Sequence, residues 1–412
     1  MNIRRSAALV AATVVIGAVS AQASVADSVS PSASSSPKTV VPSGLYGKSD
    51  PTYDGVWRQS LAFVAQDTAG VKPAGKAVAW LSGQQCDNGG FAAFRAEPGK
   101  ACDAKTPLDS NSTAAAVQAL VAVGGRDGEV SKGVDWLKKN QNDDGGWGYN
   151  PGGASDANST SVVLGALAAA GQKPADVKTG PGKSGLDALA SLALPCSDGK
   201  SAGAVAYQPD KKGKLAANAD ATAAGVLGAL GSGFAPDRGK APDAYTCEDG
   251  KTPDDLAHNG AVYLQNQLST HLYLKSQLAG AEDQPDYGNT ADAVTAVAAA
   301  EGIKYTKDPY AWLEKNARAW AVQSGPAAYA QLIFAAHATG NDPHDFGGTD
   351  LVSALNKTGP APASAKSADE SQDKKDDKSD GGGLGTWWIV GVMFVAAVGA
   401  GFLISGRKKQ QL

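Results

Sequence analysis

Apolar residues along this chain gather in alanine- and leucine-rich runs, each preceded by a short polar segment and followed by glycine. Asp109-Ser110-Asn111-Ser112-Thr113 and Asp156-Ala157-Asn158-Ser159-Thr160 both open such a run. Asn218-Ala219-Asp220-Ala221-Thr222 stands before Val226 to Leu230, Asn289-Thr290-Ala291-Asp292 before Val294 to Ala300, and Ser324-Gly325 before Ala327 to Ala338. Alanine and leucine favour helix, and an Asp, Asn, Ser or Thr oxygen at the start can accept from the orphan N–H groups of a first turn. Stops fall at Gly124-Gly125, Gly171 with Pro174, Gly231 to Gly233, Gly302, and Gly340 with Pro343, where left-handed C-caps and a following proline are expected. Between these runs lie others marked by Trp80-Leu81, Trp136-Leu137, Leu189 to Leu192, Tyr263-Leu264 and Trp312-Leu313. With a leading helix around Trp57 to Val64, the pattern predicts five to six helical hairpins, roughly eleven helices, in residues 45–357, and an all-α fold.

The pairs are copies of one another. Trp80-Leu81-Ser82-Gly83-Gln84-Gln85-Cys86-Asp87-Asn88-Gly89-Gly90-Phe91 aligns with Trp136-Leu137-Lys138-Lys139-Asn140-Gln141-Asn142-Asp143-Asp144-Gly145-Gly146-Trp147 at an offset of 56. A period near 50 residues with two helices per copy marks a stacked hairpin array. The capped helices are apolar nearly all round and so are expected to be buried on both sides. That requires a closed two-layer arrangement with the capped helices inside.

The two ends change the picture. Arg4-Arg5, the apolar stretch Ala7 to Val19 and the small-residue site Ala21-Gln22-Ala23 predict a signal peptide over 1–23. Residues 24–44 are expected to form a flexible arm, and 358–383, rich in Pro, Ala, Ser, Lys and Asp, a disordered stalk. Residues 384–404 are uncharged and apolar over a membrane-spanning length, with Trp387-Trp388 near one edge and a basic tail, 405–412, containing Arg407-Lys408-Lys409. They predict a single-pass anchor with the tail in the cytoplasm and the repeats outside. No Leu-Pro-x-Thr-Gly precedes the span, so a retained membrane helix is preferred to covalent wall attachment. Export gives the even cysteine set a meaning, two disulfides rather than metal ligands. Of three possible connectivities, Cys86 with Cys102 and Cys196 with Cys247 are favoured. The first pair brackets one Gly-rich loop, and Cys196-Ser197-Asp198-Gly199-Lys200 resembles Cys247-Glu248-Asp249-Gly250-Lys251.

A chain of 412 residues, 42% hydrophobic with a net charge of −4, can bury one large core and lacks the basic field of a nucleic-acid binder. His258, His271, His337 and His344 show no zinc-ligand spacing, and neither a phosphate-binding glycine loop nor a nucleophile elbow is present. The acidic turn Asn142-Asp143-Asp144 lacks the spaced oxygens of a calcium loop. The most suggestive groups are the polar residues at inner-helix starts: Asp109, Asn111, Asp156, Asn158 and Asp220. Capping explains them, and in a closed ring they also gather at one mouth, where helix dipoles and side chains can orient a ligand. Trp147, Tyr149, Tyr207 and Tyr287 precede or flank those caps and are expected on the rim, as is Phe91; loop packing is the alternative for Phe91 and Trp147.

The repeated Trp-Leu-x-x-x-Gln, Gly-Gly-Phe/Trp and Asp-x-Asn-Ser-Thr units resemble the prenyltransferase and squalene-cyclase repeat over roughly residues 55–357. That resemblance implies an α/α toroid with inner and outer rings of helices. Its branches are cyclases, protein prenyltransferases, complement thioester domains and carriers related to transcobalamin. The cyclase proton donor Asp-x-Asp-Asp-Thr-Ala has its nearest counterpart in Asn218 to Ala223, where only the middle acid, Asp220, survives. A catalytic acid of that kind needs a partner group, and the sequence offers none nearby. Prenyltransferase zinc ligands and the Gly-Cys-Gly-Glu-Gln thioester motif are also absent. The resemblance therefore implies a carrier without catalytic residues, metal or cofactor. It would take a corrinoid or similar bulky small molecule as its ligand and pass it to a membrane importer, although the second, β domain of such carriers is missing. A cyclase-like or prenyltransferase-like enzyme and a purely structural or protein-interaction ectodomain are the alternatives.

Overall fold

A computed structural model describes residues 40–277 and 281–363. Within them the chain is all-α apart from two short two-stranded ribbons and two 3-10 turns. In chain order the helices are α1 (Gly55–Thr68), α2 (Gly75–Gly83), α3 (Ser110–Val123), α4 (Asp127–Lys139), α5 (Ala157–Ala169), α6 (Gly185–Ser191) and α7 (Ala219–Ala229). There follow α8 (Pro253–His271), α9 (Tyr287–Glu301), α10 (Lys307–Asn316), α11 (Arg318–Ser324), α12 (Pro326–Thr339) and α13 (Leu351–Asn356).

Six of these pack in a cycle: α1 on α3, α3 on α5, α5 on α7, α7 on α9, α9 on α12, and α12 back on α1. They are the helices without a polar face. In α12 the buried residues run Pro326, Ala328, Tyr329, Ala330 and then Leu332 to Ala336, a distribution that suits a helix with neighbours on every side. The other layer is amphipathic. Helix α4 buries Gly133, Val134, Trp136 and Leu137 and turns its charges outward.

The repeated motif residues hold this arrangement together. In four successive copies a threonine in the first turn of the inner helix accepts from the backbone of the preceding loop: Phe91 N–H to Thr113 Oγ1, Trp147 to Thr160, Val205 to Thr222 and Leu274 to Thr290, all at 2.9–3.0 Å. Val205 and Leu274 thereby take the places of Phe91 and Trp147 in the weaker copies. The glutamine of Trp-Leu-x-x-x-Gln staples its loop to the next outer segment. Gln85 donates to Gly89 O and Glu129 O, and Gln141 to Gly145 O and Val177 O. Glycine is required at Gly89, Gly145 and Gly203, which have φ of +95°, +92° and +76°. A Cβ there would run into the carbonyl of Lys132, Ser184 or Asn259.

The ribbons sit in these loops. β1 (Phe91–Ala92) pairs with β2 (Leu108–Asp109), and β3 (Leu274–Lys275) with β4 (Pro285–Asp286), both antiparallel. Both disulfides, Cys86–Cys102 and Cys196–Cys247, have the favoured connectivity, with Cα separations of 5.7 and 5.5 Å.

Two helices exceed the eleven that the pattern predicted. α11 is a short turn between α10 and α12, and α13 packs on both α12 and α1, supplying from the far end of the chain the outer partner of the first helix. Gln66 of α1 donates to Asn356 Oδ1 at 2.7 Å across this closure. Residues 358–363, expected at the start of a disordered stalk, instead lie on the domain. Thr358 O accepts from Gly47 N–H, Pro360 O from the Tyr46 hydroxyl at 2.9 Å, and Ala363 N–H donates to Lys72 O. The last residues of the expected arm are likewise engaged, Gly44 O accepting from Gln59. No helix among the described residues is long and apolar enough to cross a membrane. The signal peptide, most of the arm and stalk, the anchor at 384–404 and the tail at 405–412 lie outside the described residues.

Candidate functional site

The polar starts of the inner helices divide into caps and inward-facing groups. Asp109 Oδ1 accepts from Ser112 N–H at 2.6 Å, Asp156 Oδ1 from Ser159 N–H at 2.7 Å, Asn218 Oδ1 from Ala221 N–H at 2.8 Å and Asp286 Oδ1 from Asn289 N–H at 3.0 Å. Each is the N-cap of its helix. Asp220 is therefore not a cap. It is the second residue of α7, and its Oδ2 accepts from Asn158 Nδ2 of α5 at 2.7 Å.

One turn deeper, Gln331 of α12 donates to Asp292 Oδ2 of α9 at 2.8 Å. Neither residue was singled out as a site in the sequence, where Asp292 ends the polar segment before Val294 and Gln331 lies inside the run Ala327 to Ala338. The signal was a polar side chain in a helix buried on all sides, which has to find a partner across the ring. Asp292 feels the charge of Asp220, and Asp286 adds to both.

Burial shifts all of these carboxyls toward their neutral form. Burial, then the charge of Asp220, pushes Asp292 up to about 8 against the pull of Gln331. Burial raises Asp220 as well, only partly offset by Asn158. Asp109 is pushed up to about 6 by burial, opposed by the Ser112 bonds. Like charges sharing a poorly solvated space titrate as a set, so the proton on Asp292 depends on the charge of Asp220.

The rim is built by Tyr149 and Tyr207, 40% and 43% exposed. Tyr149 is pushed up to about 12 by burial and by Asp109, and Tyr207 is raised by burial and by Asp156 and Asp220. Their carbonyls join the rim to the ring, Tyr149 O accepting from Ser110 N–H and Tyr207 O from Ala157 N–H. The other two aromatics expected here do not offer a face. Trp147 is fully buried with its indole N–H on Leu137 O, so loop packing describes it, as it does buried Phe91. Tyr287 is stacked between Trp312 and Trp320, with centroids at 5.4 and 5.9 Å. The sequence pattern missed the aromatic floor. Phe234, in the loop after α7, packs edge-on against Trp57 of α1 and stacks on Phe334 of α12. Phe334 follows Gln331 by three positions, hence on the same side of α12 and about a turn further down.

Two hollows on the outer layer lie apart from these groups: one of about 390 Å³ beside Lys138, Gln172 and Lys178, and one of about 490 Å³ between Leu194 and Asn259. No group of three or more His, Cys, Asp or Glu side chains among the described residues is arranged to hold a metal ion.

No family model matches the chain, and no curated protein matches it. Among solved structures, a crystal structure of a protein from Actinoplanes is similar over 74% of this chain and 96% of that one, with 16% identity and a TM-score of 0.49.

Proposed function

We propose that this protein is an α/α toroid, exported and anchored by its C-terminal segment, that binds a small molecule at the mouth of its ring and presents it at the membrane. The observation that carries the proposal is the pair of side-chain bonds between inner helices, Asn158 to Asp220 and Gln331 to Asp292. Four helices each place a polar group in one space, with exposed tyrosines above it and aromatic rings beneath. Polar residues in the interior of a helical ring weaken the core unless they serve something else. The closed cycle of six helices supports the toroid, and the motif residues support a shared origin with the prenyltransferase and squalene-cyclase repeat.

One observation favours the enzyme alternative. Asp292, on the neighbouring inner helix, feels the charge of Asp220, where the sequence offered no second acid. Its chemistry argues the other way. An acid able to protonate a carbon–carbon double bond needs its charged form stabilised, whereas here each carboxyl has one amide donor, the negative field of Asp286 and a pKa raised by burial. Binding is therefore preferred to turnover.

The test is a thermal-shift and calorimetric screen of the full-length protein against a chemically broad set of small molecules. Cobalamin and other corrinoids are included and also followed by visible absorption. Binding that weakens in Asp220→Asn and Tyr207→Ala supports the proposal. Binding indifferent to both removes the mouth as the site, and product formation from isoprenoid diphosphates or squalene would establish the enzyme alternative instead.

A further inference from the structure

The mouth is rich in acceptors, and among the described residues no cation forms an ion pair with them. Asp109, Asp156, Asp220, Asp286 and Asp292 surround it, yet the ion pairs among the described residues all lie elsewhere. Asp54, at the start of α1, shows what the fold does with a buried acid that is purely structural: Arg58 meets it at 2.7 Å. None of the five mouth carboxyls has such a partner.

A second, separate observation concerns oxygens without donors. Oδ1 of Asn111 and Oδ1 of Asn158 are buried with no hydrogen-bond partner. Leaving a buried acceptor unmet costs about 1–3 kcal/mol each. Asn158 is turned into the mouth by its own bond to Asp220, which brings its orphaned oxygen there too. A ligand carrying N–H donors or positive charge would answer both the unmet oxygens and the unpaired acids. The tyrosines on the rim offer ring faces of the kind that attract such a charge, and the Trp57, Phe234 and Phe334 rings one turn below suit an apolar body.

We propose, resting on the binding function above, that the ligand is an organic cation: an amine or quaternary ammonium group on an apolar skeleton, its charge between Asp220 and Asp292 and its apolar part toward Phe234. A cation there returns the acid pair to its charged form. Binding near neutral pH is then accompanied by proton release, since burial and the charge of Asp220 push Asp292 up to about 8 when no cation is beside it.

Full-length protein is titrated calorimetrically with hexylamine and hexyltrimethylammonium, and with hexanol and hexanoate as neutral and anionic counterparts. The cations are expected to bind at least about tenfold more tightly than hexanol, with heats that differ between phosphate and Tris at pH 7.5 in the sense of proton release. Asp220→Asn and Asp292→Asn, isosteric and still able to accept from Asn158 and Gln331, are expected to remove that preference and the proton release. Equal affinity for hexanol, undiminished cation binding in both variants, or no cation binding at millimolar concentration would overturn the proposal. Should the neutral or anionic probes bind instead and be lost in Tyr207→Ala, the mouth remains a binding site and only the cationic class falls. If no probe and no member of the broader screen responds to mouth substitutions, the binding function falls as well.

Discussion

Helices α3 and α5 on one side of the ring and α7 on the other meet the same need with residue types exchanged. On α3 and α5 the cap is an aspartate and the residue two further on is an asparagine: Asp109 and Asn111, Asp156 and Asn158. On α7 the cap is Asn218 and the second residue along is Asp220. Either type caps equally well, so the exchange leaves α7 intact while moving a carboxyl from a helix end to the inside of the ring. The regular copies build the scaffold, and the departures from regularity put charge into its centre. The bond from Asn158 to Asp220 is where the two sides touch.

The largest expected effects probe what the two sides have in common. Gly145→Ala and Gly203→Ala each place a Cβ against a carbonyl at positive φ, and each should cost roughly 3 kcal/mol or more or abolish soluble expression. A mild effect at Gly203 in denaturant melts would show that the irregular side tolerates what the regular side does not. The disulfides come next. Cys196–Cys247 closes a sequence separation of 51 and Cys86–Cys102 one of 16, so replacing both cysteines by Ala should cost about 4 and about 3 kcal/mol respectively by loop entropy. Equal losses would mean that native contacts, not chain length, set the difference.

The acid on the irregular side gives a pH signature. Asp292 holds its proton more tightly folded than unfolded, so its contribution to stability is complete below about pH 4 and is lost as pH rises through about 8. Asp292→Asn should flatten this decline and raise the melting temperature at pH 8 by roughly 2–5 °C, while Asp156→Asn on the regular side should leave the decline through pH 8 in place. A steep profile surviving in the Asp292→Asn protein would assign it to other groups. The smallest effect is on the caps themselves: Asp156→Ala should cost about 1 kcal/mol in thermal melts and Asp156→Asn almost nothing. If Asn costs as much as Ala, charge rather than capping geometry is what α5 requires.

Most of the scaffold was legible because each structural role repeats. The Gly-Gly turns, the caps and the disulfide pairing all follow from residues that recur at matching places. Asp292 and Gln331 escaped for the opposite reason. They occupy no repeated position, lie 39 residues apart, and acquire a common purpose only once α9 and α12 are neighbours. Tyr287 was expected on the rim, and Trp147 either there or packed in its loop, because position along the chain does not determine which way a ring turns: Trp147 points into its own hairpin, and Tyr287 joins a stack of aromatics. α13 went unseen because six residues carry too little periodicity to register.

The closure by α13 has a mechanical side. Residues 46 and 47 at one end of the described domain are bonded to Thr358 and Pro360 at the other, so a pull on either strand loads the same clasp, and the ring has no free first or last hairpin from which to unravel. It also has no obligatory beginning. A circular permutant that joins these adjoining ends through a short linker and reopens the chain in an exposed loop such as Lys211–Gly213 should close the same circle of helices, with the acid pair still at its centre.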